Sequence, residues 1–107
     1  MTRQFIITEN AKKDLSEIKS YVTKEFGKST WKKAHAEYAA EFKKIRDKPE
    51  AGKIVDELKD LGINHILYRL VRQTKIVYEF NESKIIIQLL INTRRDFRSH
   101  LLKRVLS

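Results

Sequence analysis

The spacing of apolar residues changes from a helical period to a strand period near the middle of the chain. In the first part of the chain the apolar positions lie three or four residues apart, at Leu15, Ile18, Val22 and Phe26. A second stripe with the same spacing runs from Trp31 to Ile45. This period is typical of amphipathic helices, and Gly27 and Pro49 stand where helices commonly end. The sequence therefore predicts two long helices with a short connection, packed as a hairpin.

Beyond Ile63, apolar and polar side chains alternate with a period of two. The alternation runs through residues 66–71 and 75–80, with short polar connections at 72–74 and 81–83. Such runs predict successive antiparallel hairpins. Ile85–Ile91 is apolar at every position except Gln88, which predicts a central strand covered on both faces.

The remaining segments complete a single domain. Phe5–Ile7 predicts a short first strand, and Thr8 or Asn10 can cap the helix that follows. Residues 95–106 predict a short last helix. We therefore expect one α+β domain over residues 1–107, in which an N-terminal strand and a two-helix hairpin pack on an antiparallel sheet in the order β-α-α-β-β-β-α.

The charge of the chain is strongly basic and concentrated towards its C-terminal part. Lys and Arg total 23 against 14 Asp and Glu, a formal net charge of +9. Residues 1–60 carry 14 basic and 11 acidic side chains, a net charge of +3, whereas residues 61–107 carry 9 and 3, a net charge of +6. This balance predicts an anionic partner such as nucleic acid, an acidic protein segment or a membrane surface.

Composition also removes several classes of site. The chain has no cysteine, so disulfides and cysteine-based zinc sites are excluded. The three histidines are scattered without a metal-ligand spacing, and no metal or cofactor is expected. The apolar runs are too short for a membrane span, so we expect a cytoplasmic protein that does not insert in a membrane.

A cluster of arginines directly follows the most apolar strand, in the segment Asn92-Thr93-Arg94-Arg95-Asp96-Phe97-Arg98. The planar guanidinium of arginine binds phosphate or carboxylate through two parallel hydrogen bonds. With two cations on the preceding strands, these side chains are predicted to line one face and edge of the sheet and to bind a target or phosphate groups. The predicted binding residues are Arg69, Lys75, Arg94, Arg95 and Arg98. The lysines of the two helices are interleaved with acids, which favours a solvated face over nucleic-acid binding.

The order of elements and four short motifs together resemble the RelE/ParE toxin superfamily of bacterial type II toxin–antitoxin systems. Residues 11–21 look like the family's A-x-x-D-L-x-x-I-x-x-Y opening of the first helix. Pro49–Gly52 is similar to its P-x-x-G joint, and Lys75–Tyr78 stands where R-I-x-Y is usual. Arg94–Asp96 matches the R-R-D that closes the last long strand of many ParE-like members. The resemblance covers nearly the whole chain.

The resemblance implies a toxin with one of two mechanisms. RelE-like members cut messenger RNA at the ribosome, whereas ParE-like members poison DNA gyrase and have no known catalytic residues of their own. Both are neutralised by an antitoxin, usually encoded beside the toxin, whose segment wraps the toxin surface. Two positions depart from the pattern, because Lys75 replaces an arginine and Asn92 stands where ParE-like members often have histidine. The departures leave open a weakened toxin.

The resemblance and the candidate residues leave three functional hypotheses. The leading hypothesis is a ParE-like gyrase inhibitor, a plasmid-stabilisation type of toxin that is not an enzyme, because Leu101 stands where RelE-like nucleases often place a tyrosine or histidine. The alternative is a RelE-like, metal-independent endoribonuclease with Arg69, Lys75, Arg95 and His100 as its catalytic residues. The second alternative is a non-toxic basic nucleic-acid-binding module. In both toxin hypotheses the partner is an acidic amphipathic antitoxin segment in a hetero-oligomer.

Overall fold

The computed structural model describes residues 3–92 and 97–106, and in α4 the side chains of residues 99 and 101–104. Its helices and strands follow the order expected from the periodicity, with one added strand and a short helix between the hairpin and the main sheet. The elements are β1 Gln4–Ile7, α1 Glu9–Phe26, α2 Lys28–Asp47, β2 Lys53–Ile54, α3 Asp56–Lys59, β3 Leu67–Val71, β4 Thr74–Phe80, β5 Lys84–Asn92 and α4 Phe97–Leu106. A single 3-10 turn, Pro49–Ala51, follows α2.

The helical hairpin is set by local capping. The side chain of Thr8 accepts a hydrogen bond from the backbone N–H of Ala11 at 3.1 Å, so the predicted cap is confirmed at Thr8. Gly27 has φ of 94°, a conformation that side-chain-bearing residues rarely adopt. Because this one residue both ends α1 and precedes α2, the two helices fold back on each other and pack together.

The five strands form one mixed sheet in the order β1-β5-β4-β3-β2. The α+β class and the helix pair on the sheet are confirmed, and β3, β4 and β5 are antiparallel neighbours as expected. The first strand differs from the prediction, because β1 pairs parallel with β5. Alternation predicts that a segment is a strand, but a pairing between distant segments decides its direction.

The sheet separates two apolar cores. The hairpin-side core lies between the sheet and the helical hairpin, and the α4-side core lies between the opposite face and the segments α3 and α4. The buried members of the first include Tyr38, Ile45, Ile76, Tyr78, Ile85, Ile87 and Leu90. Those of the second include Val55, Leu58, Ile66, Val77, Leu89, Ile91 and Leu101. The prediction that β5 is covered on both faces is confirmed.

A β-bulge at Gln88 explains why β5 is apolar at adjacent positions. Val77 pairs with Leu89 while Tyr78 pairs with Ile87, so Gln88 is an extra residue. A bulge reverses the alternation of side chains beyond it. Ile87 and Leu90 therefore both reach the hairpin-side core, whereas a regular strand would place them on opposite faces.

Candidate target-binding surface

Arg69 projects from β3 towards the helical hairpin and is held there by carbonyl and carboxylate groups. Its Nε donates to Oε1 of Glu41 in α2 at 2.8 Å, and its Nη1 donates to the carbonyl oxygen of Ala51 at 3.4 Å. The Glu41 side chain is only 11% exposed. A guanidinium bound to a nearly buried carboxylate holds α2 against the sheet, so this geometry gives Arg69 a structural partner.

Lys75 lies on the other face of the sheet. The antiparallel register pairs Arg69 with Ile76 and Leu70 with Lys75, and neighbours along a strand point to opposite faces. The Lys75 ammonium lies 4.8 Å from the ring centroid of Tyr68, a cation–π contact on the α4 side. The prediction that Arg69 and Lys75 line one face is therefore wrong for this pair, and the two do not converge on one phosphate.

The C-terminal arginine cluster falls largely beyond what the structure describes. Arg94 and Arg95 lie outside the described residues. Arg98 and His100 belong to α4 by their backbone, but their side chains also lie outside the description. The predicted roles of these four residues stay predictions. Asn92, the last residue of β5, pairs with Thr74.

Leu101 of α4 has a structural role. Its side chain has no exposed surface and packs in the α4-side core among Val55, Leu58 and Val77. The position that often carries a proton-transfer group in RelE-like nucleases is thus part of the core. Among the described histidines, His65 is exposed beside Glu79 at 3.5 Å and His35 contacts Trp31.

Tyr78 and Gly52 form the joint between hairpin and sheet. The Tyr78 hydroxyl donates to the carbonyl oxygen of Pro49 at 2.6 Å. A Cβ atom on Gly52 would collide with that hydroxyl and lie 2.8 Å from Cζ of the ring, so the close approach requires glycine. Burial raises the pKa of Tyr78 above its ordinary value, although the nearby Arg69 lowers it. The hydroxyl stays neutral at physiological pH and acts as a buried donor.

An ion pair between distant segments closes the exposed edge of β5. β1 ends at Ile7, which pairs with Ile87, so among the residues that the structure describes no strand lies beside the rest of β5 on that side. There Asp14 of α1 accepts from the backbone N–H of Leu90 at 3.1 Å. Arg104 of α4 donates to Asp14 at 3.0 Å and to the carbonyl oxygen of Gln88 at 2.9 Å. This pair anchors α4 against α1 and β5.

Sequence reasoning missed this pair. The motif in α1 contains Asp14, but its partner lies 90 residues away. A mid-helix aspartate within the apolar periodicity was the available signal, because such a residue needs a compensating donor.

A groove runs between α1 and the end of the sheet, and we call it the sheet-end groove. Its volume is about 660 Å³, and its lining includes Asp14, Ile18, Tyr21, Val22, Phe26 and Arg72. Tyr21 is 59% exposed and Phe26 62% exposed, and their rings meet edge to face with centroids 6.3 Å apart. An exposed aromatic pair beside half-buried aliphatic side chains is the kind of surface that a protein partner covers.

Two absences bear on the chemistry of the described part of the chain. Residues 3–92 and the described side chains of α4 hold no cluster of three histidine or carboxylate groups that could bind a metal ion. Over the same residues, no helix combines the length and apolarity needed to cross a bilayer.

Comparisons with known proteins agree with this fold. The family model of the ParE toxin of type II toxin–antitoxin system, parDE, matches residues 5–97. Among solved structures, a chain described as "Chromosomal ParDE TA system from P. aeruginosa" superposes with a TM-score of 0.71 at 14% identity, covering 85% of this chain and 96% of that chain. At this identity the likeness shows a shared fold. A search of curated proteins finds no significant match.

Proposed function

Since the chain belongs to the ParE toxin family of type II toxin–antitoxin systems, as the match over residues 5–97 shows, we propose that it inhibits DNA gyrase and that a cognate antitoxin neutralises it. The resemblance inferred from the sequence is confirmed at the level of the family. Gyrase as the target, and an antitoxin as the partner of this chain, are the proposal.

The observation that carries the choice of gyrase over messenger RNA is the burial of Leu101. Metal-free RNA cleavage needs a base for the 2′-hydroxyl, an acid for the leaving oxygen and cations for the phosphorane. Leu101 supplies no proton, and the cations Arg69 and Lys75 lie on opposite faces of the sheet. Loss of a general acid or base typically lowers a rate by about 100- to 10,000-fold. These features favour a toxin that acts by binding.

A direct assay separates the two targets. The purified chain is added to gyrase, relaxed plasmid and ATP, and separately to a translating extract whose reporter messenger RNA is mapped by primer extension. We expect supercoiling to be inhibited and the message to remain intact. Cuts that appear only in ribosome-bound message, with normal supercoiling, would contradict the proposal and support the endonuclease alternative.

The sheet-end groove is the surface we propose for the antitoxin. An amphipathic antitoxin segment can bury the exposed rings of Tyr21 and Phe26 together with the half-buried Ile18 and Val22. The two rings already contact each other edge to face and so form one continuous aromatic patch for such a segment. The sequence predicts an acidic, amphipathic antitoxin segment, and this proposal names the surface to which that segment binds.

Substitution of the aromatic pair tests the location. Tyr21→Ala with Phe26→Ala should weaken the complex with the cognate antitoxin by at least about 2 kcal/mol, the scale of an interface hot spot. Leu61→Ala is the matched control, because Leu61 is 50% exposed and lies outside the groove. Equal affinities for all three proteins, measured by calorimetry, would place the antitoxin elsewhere.

A further inference from the structure

The fold separates charges that are interleaved along the two helices. Three carboxylates of the hairpin turn towards arginines of β3, of the β3–β4 turn and of α4. Asp14 pairs with Arg104 at 3.0 Å, Glu37 accepts from Arg72 at 2.6 Å, and Glu41 accepts from Arg69 at 2.8 Å. These acids are neutralised locally, so they do not compensate the lysines on the other side of the hairpin.

The lysines on that other side surround an open groove between α1 and α2, which we call the lysine groove. Its volume is about 460 Å³, and its polar lining comprises Lys12, Ser16, Lys19, Lys32 and His35, with no carboxylate among the lining residues. Glu9 reaches Lys12 from outside the groove, at 3.3 Å, and both side chains are highly exposed. An exposed pair of this kind contributes little, and the formal charge of the groove lining is positive.

Trp31 provides an aromatic surface in the same groove. The indole is half-buried and packs against the hairpin-side core. Its ring centroid lies 5.6 Å from that of His35, whose side chain is exposed. The groove thus combines three ammonium groups with two adjacent π-systems.

We propose that the lysine groove binds a single-stranded segment of nucleic acid, with its phosphates on the lysines and a base against Trp31 or His35. Sequence-tolerant single-strand sites use this combination of a cationic groove and an aromatic platform. Lys12 and Lys19 are seven residues apart on one helix, which places them roughly 10 Å apart along its axis. That spacing reaches more than one phosphate of an extended strand.

The aromatic rings of Trp31 and His35 favour a single strand over two other anionic ligands, a duplex and an acidic peptide. A duplex presents its phosphates outside and its bases stacked inside, so it can contact the lysines without reaching the indole. An acidic peptide can pair with the lysines but brings no π-face with each charge. The proposal goes beyond gyrase inhibition and does not depend on it, because oligonucleotide binding is measured with the chain alone.

Trp31 is also the reporter for the test, because it is the one tryptophan in the sequence. The full-length chain is titrated with a 12-nucleotide oligo-dT while Trp31 emission is recorded at several salt concentrations. We expect saturable quenching, and a plot of log Kobs against log salt with a slope of about −2 for three neutralised phosphates. The Lys19→Gln/Lys32→Gln protein should retain quenching only at low salt, with a slope reduced to about −0.7.

The control is Lys13→Gln/Lys33→Gln, which removes the same charge from exposed positions of the same helices outside the groove. This protein should quench like the unaltered chain. Four results would overturn the proposal: no binding at low salt, equal loss in both double variants, binding of a duplex with the same quenching, or tighter binding of poly-glutamate than of the oligonucleotide.

Discussion

The two sides of the helical hairpin carry charge in different ways. On the side that faces the sheet and α4, each of three carboxylates lies within 3.0 Å of an arginine nitrogen. On the other side, the lysine groove has three ammonium groups and no lining carboxylate. The contrast indicates that carboxylate–arginine pairs between elements fix the positions of those elements, whereas lysines in a groove that has no lining carboxylate are available to a ligand. Substitutions on the first side should therefore change stability, and substitutions on the second should change binding.

The largest stability effect is expected at the joint beside the paired side. Gly52→Ala places a Cβ against the Tyr78 hydroxyl, so the ring must move and its hydrogen bond to Pro49 weakens. Overpacking and the lost hydrogen bond together should lower the free energy of unfolding by about 3 kcal/mol, measured with denaturant. Adding Tyr78→Phe, which removes the clashing oxygen, should recover part of the loss. A double variant less stable than the sum of the single changes would refute this steric explanation.

The next effect concerns the ion pair that anchors α4. Asp14→Ala removes the acceptor of the Leu90 N–H and leaves Arg104 without its carboxylate. Both side chains are partly exposed, at 14% and 23%, so we expect a loss of about 2 kcal/mol rather than the larger cost of a fully buried pair. Glu17→Ala, at an exposed position of the same helix, should change stability by less than about 0.5 kcal/mol. Similar values for both variants would show that the pair does not anchor the helix.

A smaller effect should appear at high pH through Tyr78. Burial raises the pKa of its hydroxyl in the folded chain above the ordinary value of 10.0. As the pH rises through the ordinary pKa, the unfolded chain loses this proton while the folded chain keeps it. The unfolded state then binds fewer protons, so the free energy of unfolding falls as pH rises. Denaturant unfolding between pH 9 and pH 11 should show a steeper decline for the unaltered chain than for Tyr78→Phe, with Tyr21→Phe as the exposed control. Parallel declines would contradict the burial of this hydroxyl.

The smallest stability effect is expected in the lysine groove. Lys19→Gln/Lys32→Gln removes two exposed charges that have no carboxylate partner in the groove, so the free energy of unfolding should change by less than about 0.5 kcal/mol. The same protein should lose most of its oligonucleotide binding. A stability loss as large as that of Asp14→Ala would remove the distinction between the two sides.

The parts of the fold that were predicted correctly from the sequence are those set by residues close to one another in the chain. Thr8 and Gly27 act through their own backbone neighbours, and the β3–β4–β5 hairpins connect adjacent segments, so period and turn residues were sufficient. The parallel pairing of β1 and the contact of Asp14 with Arg104 depend on segments far apart in the chain. No local pattern encodes which of them meet.

The candidate site shows how an error of one residue in a predicted turn assigns a side chain to the wrong face of the sheet. The connection between β3 and β4 was predicted over residues 72–74, but Thr74 already belongs to β4. Arg72 adopts φ of 53°, and the turn is one residue shorter. A shift of one residue exchanges the two faces of a strand. Whether Arg69 and Lys75 share a face of the sheet could therefore be decided only from the observed register.

The central claim, that this ParE-family toxin acts on gyrase, is tested most directly by cleavage-complex formation. Gyrase, supercoiled plasmid, ATP and the purified chain are incubated together, and covalently linked, linearised DNA is measured after detergent and protease. We predict that linear DNA rises with the concentration of the chain and disappears when the antitoxin is added first. Unchanged DNA at a concentration of the chain that stops growth in cells would contradict the claim.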